Sequence, residues 1–176
     1  MTEPVSLQTL LTYLTLISVP VGVFYHIMTL RNTRRNQDQQ LETRQAQLFM
    51  SLYNRLSDKN FNQDWMDAVT LTINSQEEYL RLFRDAEKRT EIGSAVNALF
   101  AYFEGIGVLI KRGLVDIHLV DDLMSSYILM TWNKYGPFIK EQQESANRPE
   151  LWEHFEYLAN EIKKVYVTQH GFELKY

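Results

Sequence analysis

Seven residues near the amino end of this 176-residue chain, Gln8, Thr12, Thr15, Val19, Gly22, His26 and Thr29, follow one another at steps of four, three, four, three, four and three. Heptad spacing of this kind keeps side chains on one face of a helix. Hydroxyls, an amide and one imidazole aligned in this way line a hydrophilic path for water or ions when several such helices gather round an axis. In that arrangement His26 forms a pH-sensitive ring; the alternative is an interfacial residue beside Tyr25, anchored at the level of lipid headgroups. Pro20 removes the amide that would bond to Leu16, and with Gly22 it forms a candidate hinge, the plainer alternative being a static kink. The same steps continue through Thr33, Asn36, Gln40, Thr43 and Gln47, a candidate axis beyond the apolar stretch. A second reading needs no conduction. Small and hydroxyl residues also permit close helix packing, with hydroxyls bonding across the contact or back to their own backbone. On that reading Leu41, Leu48, Leu52 and Leu56 form the packing seam and the Gln and Asn face meets solvent.

Other candidate chemistries are weaker. There is no cysteine, which excludes thiol catalysis, disulfides and Cys-type metal sites. Gly105 and Gly107 form a GxG with no preceding strand and no phosphate-loop pattern around it, so they are expected to let another helix approach closely. Glu104, in the same apolar segment, is expected to be a paired structural acid. Asp116, Asp121 and Asp122 sit where carboxylates favour a helix start, without the spacing of a divalent-metal loop. His154, among Glu150, Glu153 and Glu156, has no second histidine at ligand spacing and is expected on a solvated face. Trp65, Trp132 and Trp152 are expected as core or interface aromatics. No catalytic set emerges, so no enzyme, cofactor or bound metal is expected.

The elements that must carry these residues are helices. Between Glu3 and Arg31 no Asp, Glu, Lys or Arg occurs, and the 26 residues from Val5 to Leu30 would extend about 39 Å as a helix, more than the hydrocarbon thickness of a bilayer. Leu10, Leu14, Ile17, Val21, Phe24 and Met28 repeat the heptad steps on nearly the opposite face, suited to lipid. A removable signal peptide would place basic charge ahead of the apolar run; here Glu3 precedes it and Arg31, Arg34 and Arg35 follow. Those arginines predict a single-pass arrangement in the cell membrane with the amino terminus outside and the remainder in the cytoplasm. Lone polar side chains in lipid are costly, which predicts self-association. Three regions follow: a transmembrane helix over 1–30, a helical stalk over 31–56 and an all-helical cytosolic domain over 57–176. From Ser57 to Tyr176 there are 13 Lys plus Arg against 19 Asp plus Glu, an acidic balance that disfavours nucleic acid as a partner.

Capping and breaking signals predict helices over Phe61–Ile73, Gln76–Lys88 with Ser75 as cap, Thr90–Lys111, Asp116–Tyr135 closed by Gly136 and Pro137, and Pro149–Val167. The segments YFEGIGVLIKRGLVD, VDDLMSSYILMTWNKYGPFIK and ELWEHFEYLANEIKK, spanning Tyr102 to Lys164, resemble a widespread prokaryotic family of unknown function. Its members pair one transmembrane helix with a small helical cytosolic domain, and the resemblance implies that architecture without an activity. The expectation is an all-α, homo-oligomeric membrane protein with lipid and its own copies as partners. Its function is a small ion channel gated by cytosolic domains, or else a membrane-tethered sensor or interaction module that recruits a cytosolic protein.

Overall fold

Pro20 and Gly22 are the only Pro and Gly between Leu7 and Leu56, good helix formers dominate from Arg34 on, and the whole stretch is one helix of 50 residues, α1 (Leu7–Leu56). The computed structural model describes residues 6–84 and 91–171. Among them, five further helices follow: α2 (Lys59–Thr70), α3 (Gln76–Arg84), α4 (Glu91–Lys111), α5 (Ile117–Ala146) and α6 (Glu153–His170). No strand occurs among the described residues. The chain divides into two compact units, Met1–Arg44 and Gln45–Tyr176. The expected helix ends at Val5, Lys88 and Thr90 lie outside the described residues.

The first unit is the greater part of α1, and every described residue of it, Ser6 to Arg44, is exposed. The second unit is a helical bundle with one core. Val96, Leu99, Phe100, Phe103 and Ile106 of α4 meet Phe155, Leu158 and Ile162 of α6 and Val120, Met124, Ile128, Tyr135 and Ile139 of α5 there. Each such side chain contributes roughly 1.5–3 kcal/mol by leaving water. Aromatic rings knit the centre: Phe103 stacks on Phe155 with centroids 5.2 Å apart, and Trp132 meets Phe155 edge-on at 5.0 Å. The last turns of α1 belong to this unit. Phe49 and Leu56 enter the core with Leu48, Leu52 and Tyr53 packed against it, while Leu41, expected in the same seam, is 58% exposed. The Tyr102 hydroxyl of α4 donates to the Leu52 carbonyl, and Asn62 Nδ2 of α2 donates to the Leu56 carbonyl at 2.6 Å.

Several helix ends follow the sequence signals. Asp58 caps α2 by accepting the amides of Asn60 and Phe61, both at 3.0 Å, so α2 begins two residues before Phe61. Ser75 Oγ accepts the Glu78 amide at 3.2 Å, and Glu78 reaches back to the Asn74 amide at 2.8 Å, a capping box displaced by one residue. Asp116 caps α5 through the His118 amide at 2.7 Å.

Two ends differ. Gly136 and Pro137 do not close α5, which continues to Ala146. Pro137 is exposed, and the carbonyl that loses its partner belongs to exposed Asn133, so water replaces the missing amide. Gly136 is buried because the Trp132 indole lies over it: a Cβ there would fall 2.9 Å from Cε2. The helix ends instead at Asn147, in the left-handed region with φ 51°, whose amide bonds to the Gln143 and Glu144 carbonyls. The following turn delays α6 to Glu153, four residues after Pro149.

Candidate functional site

The stripe lies on the part of α1 that is exposed on every side. Gln8, Thr12, Thr15, Val19, Gly22, His26, Thr29, Thr33, Asn36, Gln40 and Thr43 are all exposed in the first unit. Their hydroxyls turn inward along the helix: Thr12 Oγ1 donates to the Gln8 carbonyl at 2.9 Å and Thr15 Oγ1 to those of Leu11 and Thr12 at 3.0 and 2.9 Å. Thr29 and Thr43 do the same to Tyr25 and Gln39 at 2.9 and 2.8 Å. Each of these hydroxyl hydrogens is thereby committed, and the oxygen presents its remaining lone pairs outward. The His26 ring lies edge-on to Tyr25 with centroids 6.4 Å apart. Helix α1 runs unbroken through Pro20, and no atom lies within 4 Å of where a Cβ on Gly22 would sit.

Fifteen large apolar side chains between Leu7 and Leu30 are exposed. Soluble monomers rarely expose contiguous apolar surface on that scale. By length and composition two helices are apolar enough to cross a membrane, α1 and the stretch Ile92–Lys111 of α4. Burial accounts for the second, since α4 supplies the centre of the bundle core. Among the described residues, none buries the first. In the second unit, Gln47 is exposed on the last turns of α1.

Glu104 of α4 joins two helices of the bundle. Its Oε2 accepts the Phe155 amide at 2.8 Å, and its Oε1 lies 2.9 Å from His154 Nδ1, with Glu153 Oε1 at 3.5 Å from the same nitrogen. Glu104 is thus the paired structural acid expected of it. His154 is not on a solvated face, because the carboxylate holds its ring between α4 and α6. Gly107 makes that approach possible: a Cβ there would stand 2.0 Å from the His154 carbonyl oxygen. Gly105 has open space around it and takes no part.

Sequence reasoning missed Lys134 entirely. Its Nζ donates to the Val69 carbonyl at 2.7 Å and to the Leu71 carbonyl, holding the end of α2, and burial lowers its pKa from the usual lysine value. A cation at a helix carboxyl end is the arrangement the dipole favours. A buried polar chain accompanies it: Trp65 Nε1 donates to Thr131 Oγ1 at 3.0 Å, Thr131 donates to the Tyr127 carbonyl at 2.7 Å, and the Tyr127 hydroxyl donates to Asn62 Oδ1 at 3.0 Å. Asp116 caps and Asp122 is exposed as their positions suggested, but Asp121 is only 2% exposed and faces the core. Among the described residues no group of three or more His, Asp or Glu is placed to hold a metal ion. A groove of about 220 Å³ between α3 and α4 is lined, among the described residues, by Leu82, Phe83, Gly93, Ser94 and Asn97.

These features define a class: an all-helical protein whose bundle is preceded by one long helix with an exposed apolar half. The chain belongs to the family described as Domain of unknown function (DUF4760), whose model matches residues 16–162. The match takes in the second half of the apolar stretch as well as the bundle. No curated protein and no solved structure matches the chain.

Proposed function

We propose that the protein is a single-span membrane protein that works as a homo-oligomer. Helix α1 crosses the cell membrane, the amino terminus lies outside and the bundle in the cytoplasm. The observation that carries this reading is the exposed apolar surface of α1 between Leu7 and Leu30, which no other described residue covers. The family match supports a retained helix over a removable leader, because it begins inside the apolar stretch and continues through the bundle. Lipid covers the Leu10, Leu14, Ile17, Val21, Phe24 and Met28 face, and copies meet along the polar stripe.

In an assembly of several copies the stripe lines an axis and conducts. Threonine oxygens whose hydrogens are committed to the backbone turn acceptor lone pairs toward that axis, a lining suited to water and cations. Pro20 and Gly22 supply the hinge and His26 the pH-sensitive ring near the cytoplasmic mouth. Native mass in detergent should exceed one chain, and reconstituted bilayers should show a conductance that Thr15→Leu or His26→Ala alters. A monomer without conductance overturns the proposal.

One observation favours a second reading. With their hydrogens satisfied along the helix itself, these threonines also stand in lipid at modest cost, as they do in a plain anchor. The bundle then acts as a tethered module for a cytosolic protein. Replacing the span with an unrelated transmembrane helix preserves function under this reading and abolishes it under the first.

A further inference from the structure

We infer that the face of α1 carrying Gln47, Met50 and Asn54 is a contact surface for a second copy of this chain, parallel and in register. The inference rests on the homo-oligomeric reading above and adds to it a contact outside the membrane, on the bundle itself.

The first observation is which side of α1 the bundle uses. At about 100° per residue, Phe49, Leu52 and Leu56 cluster on one side of the helix, whereas Gln47, Met50 and Asn54 fall within about 60° of one another on the opposite side. Phe49 and Leu56 are buried in the core; Gln47, Met50 and Asn54 are all exposed, Met50 by 49%. The bundle has therefore taken one face of its own helix and left the other, with a large apolar side chain at its middle.

The second observation is register. The steps of four, three and four that link Asn36, Gln40, Thr43 and Gln47 continue by three and four to Met50 and Asn54. Heptad spacing maintained in this way is the pattern of a helix that meets a parallel partner.

Charge identifies the occupant. On the stalk, Arg31, Arg34, Arg35, Asp38 and Glu42 fall within an arc of about 100° centred opposite the stripe, and Arg44 flanks the stripe about 60° from its centre without lying on it. A parallel pair of identical helices sets each residue against itself, where like charges repel, so a seam between copies must be free of charge. Asn36, Gln40, Gln47 and Asn54 suit such a seam because an amide both donates and accepts, and so pairs with its own copy. Buried amides at seam positions also fix register. Met50 against Met50 is an adaptable apolar contact.

The 176 residues contain no cysteine, so single-cysteine variants of the full chain report proximity directly. Oxidation in native membranes should cross-link Gln47→Cys, Met50→Cys and Asn54→Cys into dimers and leave Asp38→Cys and Glu42→Cys monomeric. Met50→Lys added to Asn54→Cys should abolish that cross-link, since Met50 is exposed and its replacement leaves the core intact. If Thr15→Cys and Gly22→Cys cross-link while positions 47, 50 and 54 do not, the seam is wrong and the membrane assembly stands. Cross-links strongest at Asp38 or Glu42 also overturn the seam, and no cross-link at any position overturns the assembly with it.

Discussion

Glu104 of α4 accepts the backbone amide of Phe155 at 2.8 Å, so a side chain from a neighbouring helix caps α6. The residue at the cap position, Trp152, lies in the left-handed region and offers no side-chain cap of its own. Removing the acceptor leaves an amide unsatisfied at a partly buried helix start. Glu104→Ala should cost about 1–3 kcal/mol in chemical unfolding of the full chain. Glu104→Gln, which retains one oxygen for Phe155, should cost less. Equal losses for the two would show that the amide contact is not what Glu104 contributes.

Gly105 and Gly107 make a matched pair. Gly107→Ala forces a methyl into the His154 carbonyl and must separate α4 from α6, a loss of about 1–3 kcal/mol or more. Gly105→Ala enters open space and gains helix propensity, raising stability by up to about 1 kcal/mol. Thermal melts of the two variants should therefore move in opposite directions.

The same logic separates Gly136 from Pro137. Gly136→Ala presses on an indole that is itself held against Phe155, and should lower stability by about 1–2 kcal/mol. Pro137→Ala restores an amide for the Asn133 carbonyl on an exposed face and should raise it. Urea midpoints would reveal both shifts.

Tyr102 gives a pH test. Burial pushes its hydroxyl up to about 12, with nearby Arg55 opposing. Below the ordinary tyrosine value both folded and unfolded chains keep the proton, and the stabilising bond to Leu52 is fully present. As pH rises from about 10 toward 12, the unfolded chain ionises first and the contribution is lost. Tyr102→Phe should be less stable than the parent by about 1 kcal/mol near pH 8. That gap should shrink steadily above pH 10. Tyr79 and Tyr135, also raised by burial, add to the alkaline loss in both proteins and leave the difference to Tyr102.

The helices themselves were legible because their signals are local. Ser75 and Asp116 announce helix starts through their own side chains, whereas Asp58 was not read as a cap and α2 begins two residues ahead of the expected Phe61. What was not legible depends on residues far apart in the chain. Gly136 and Pro137 read as a stop because sequence does not say that Trp132 covers one and that water reaches the other. His154 read as a solvated residue because its partner, Glu104, stands 50 positions earlier. Lys134 left no trace in the sequence, since the carbonyls it holds become available only where α2 ends. One signal was present and went unused. The start of α6 carries no Ser, Thr, Asp or Asn at the cap, and a helix start without its own cap asks for an acceptor from elsewhere.

The bonds from Tyr102 to the Leu52 carbonyl and from Asn62 to the Leu56 carbonyl act on α1 as a key acts in a keyway. Apolar packing alone tolerates small rotations of a helix about its axis, because side chains can settle into neighbouring grooves. Two carbonyls gripped from two different helices do not. Any rotation of Gln45–Leu56 about the helix axis must therefore break bonds to α2 and α4 at once, at a cost of about 1 kcal/mol for each.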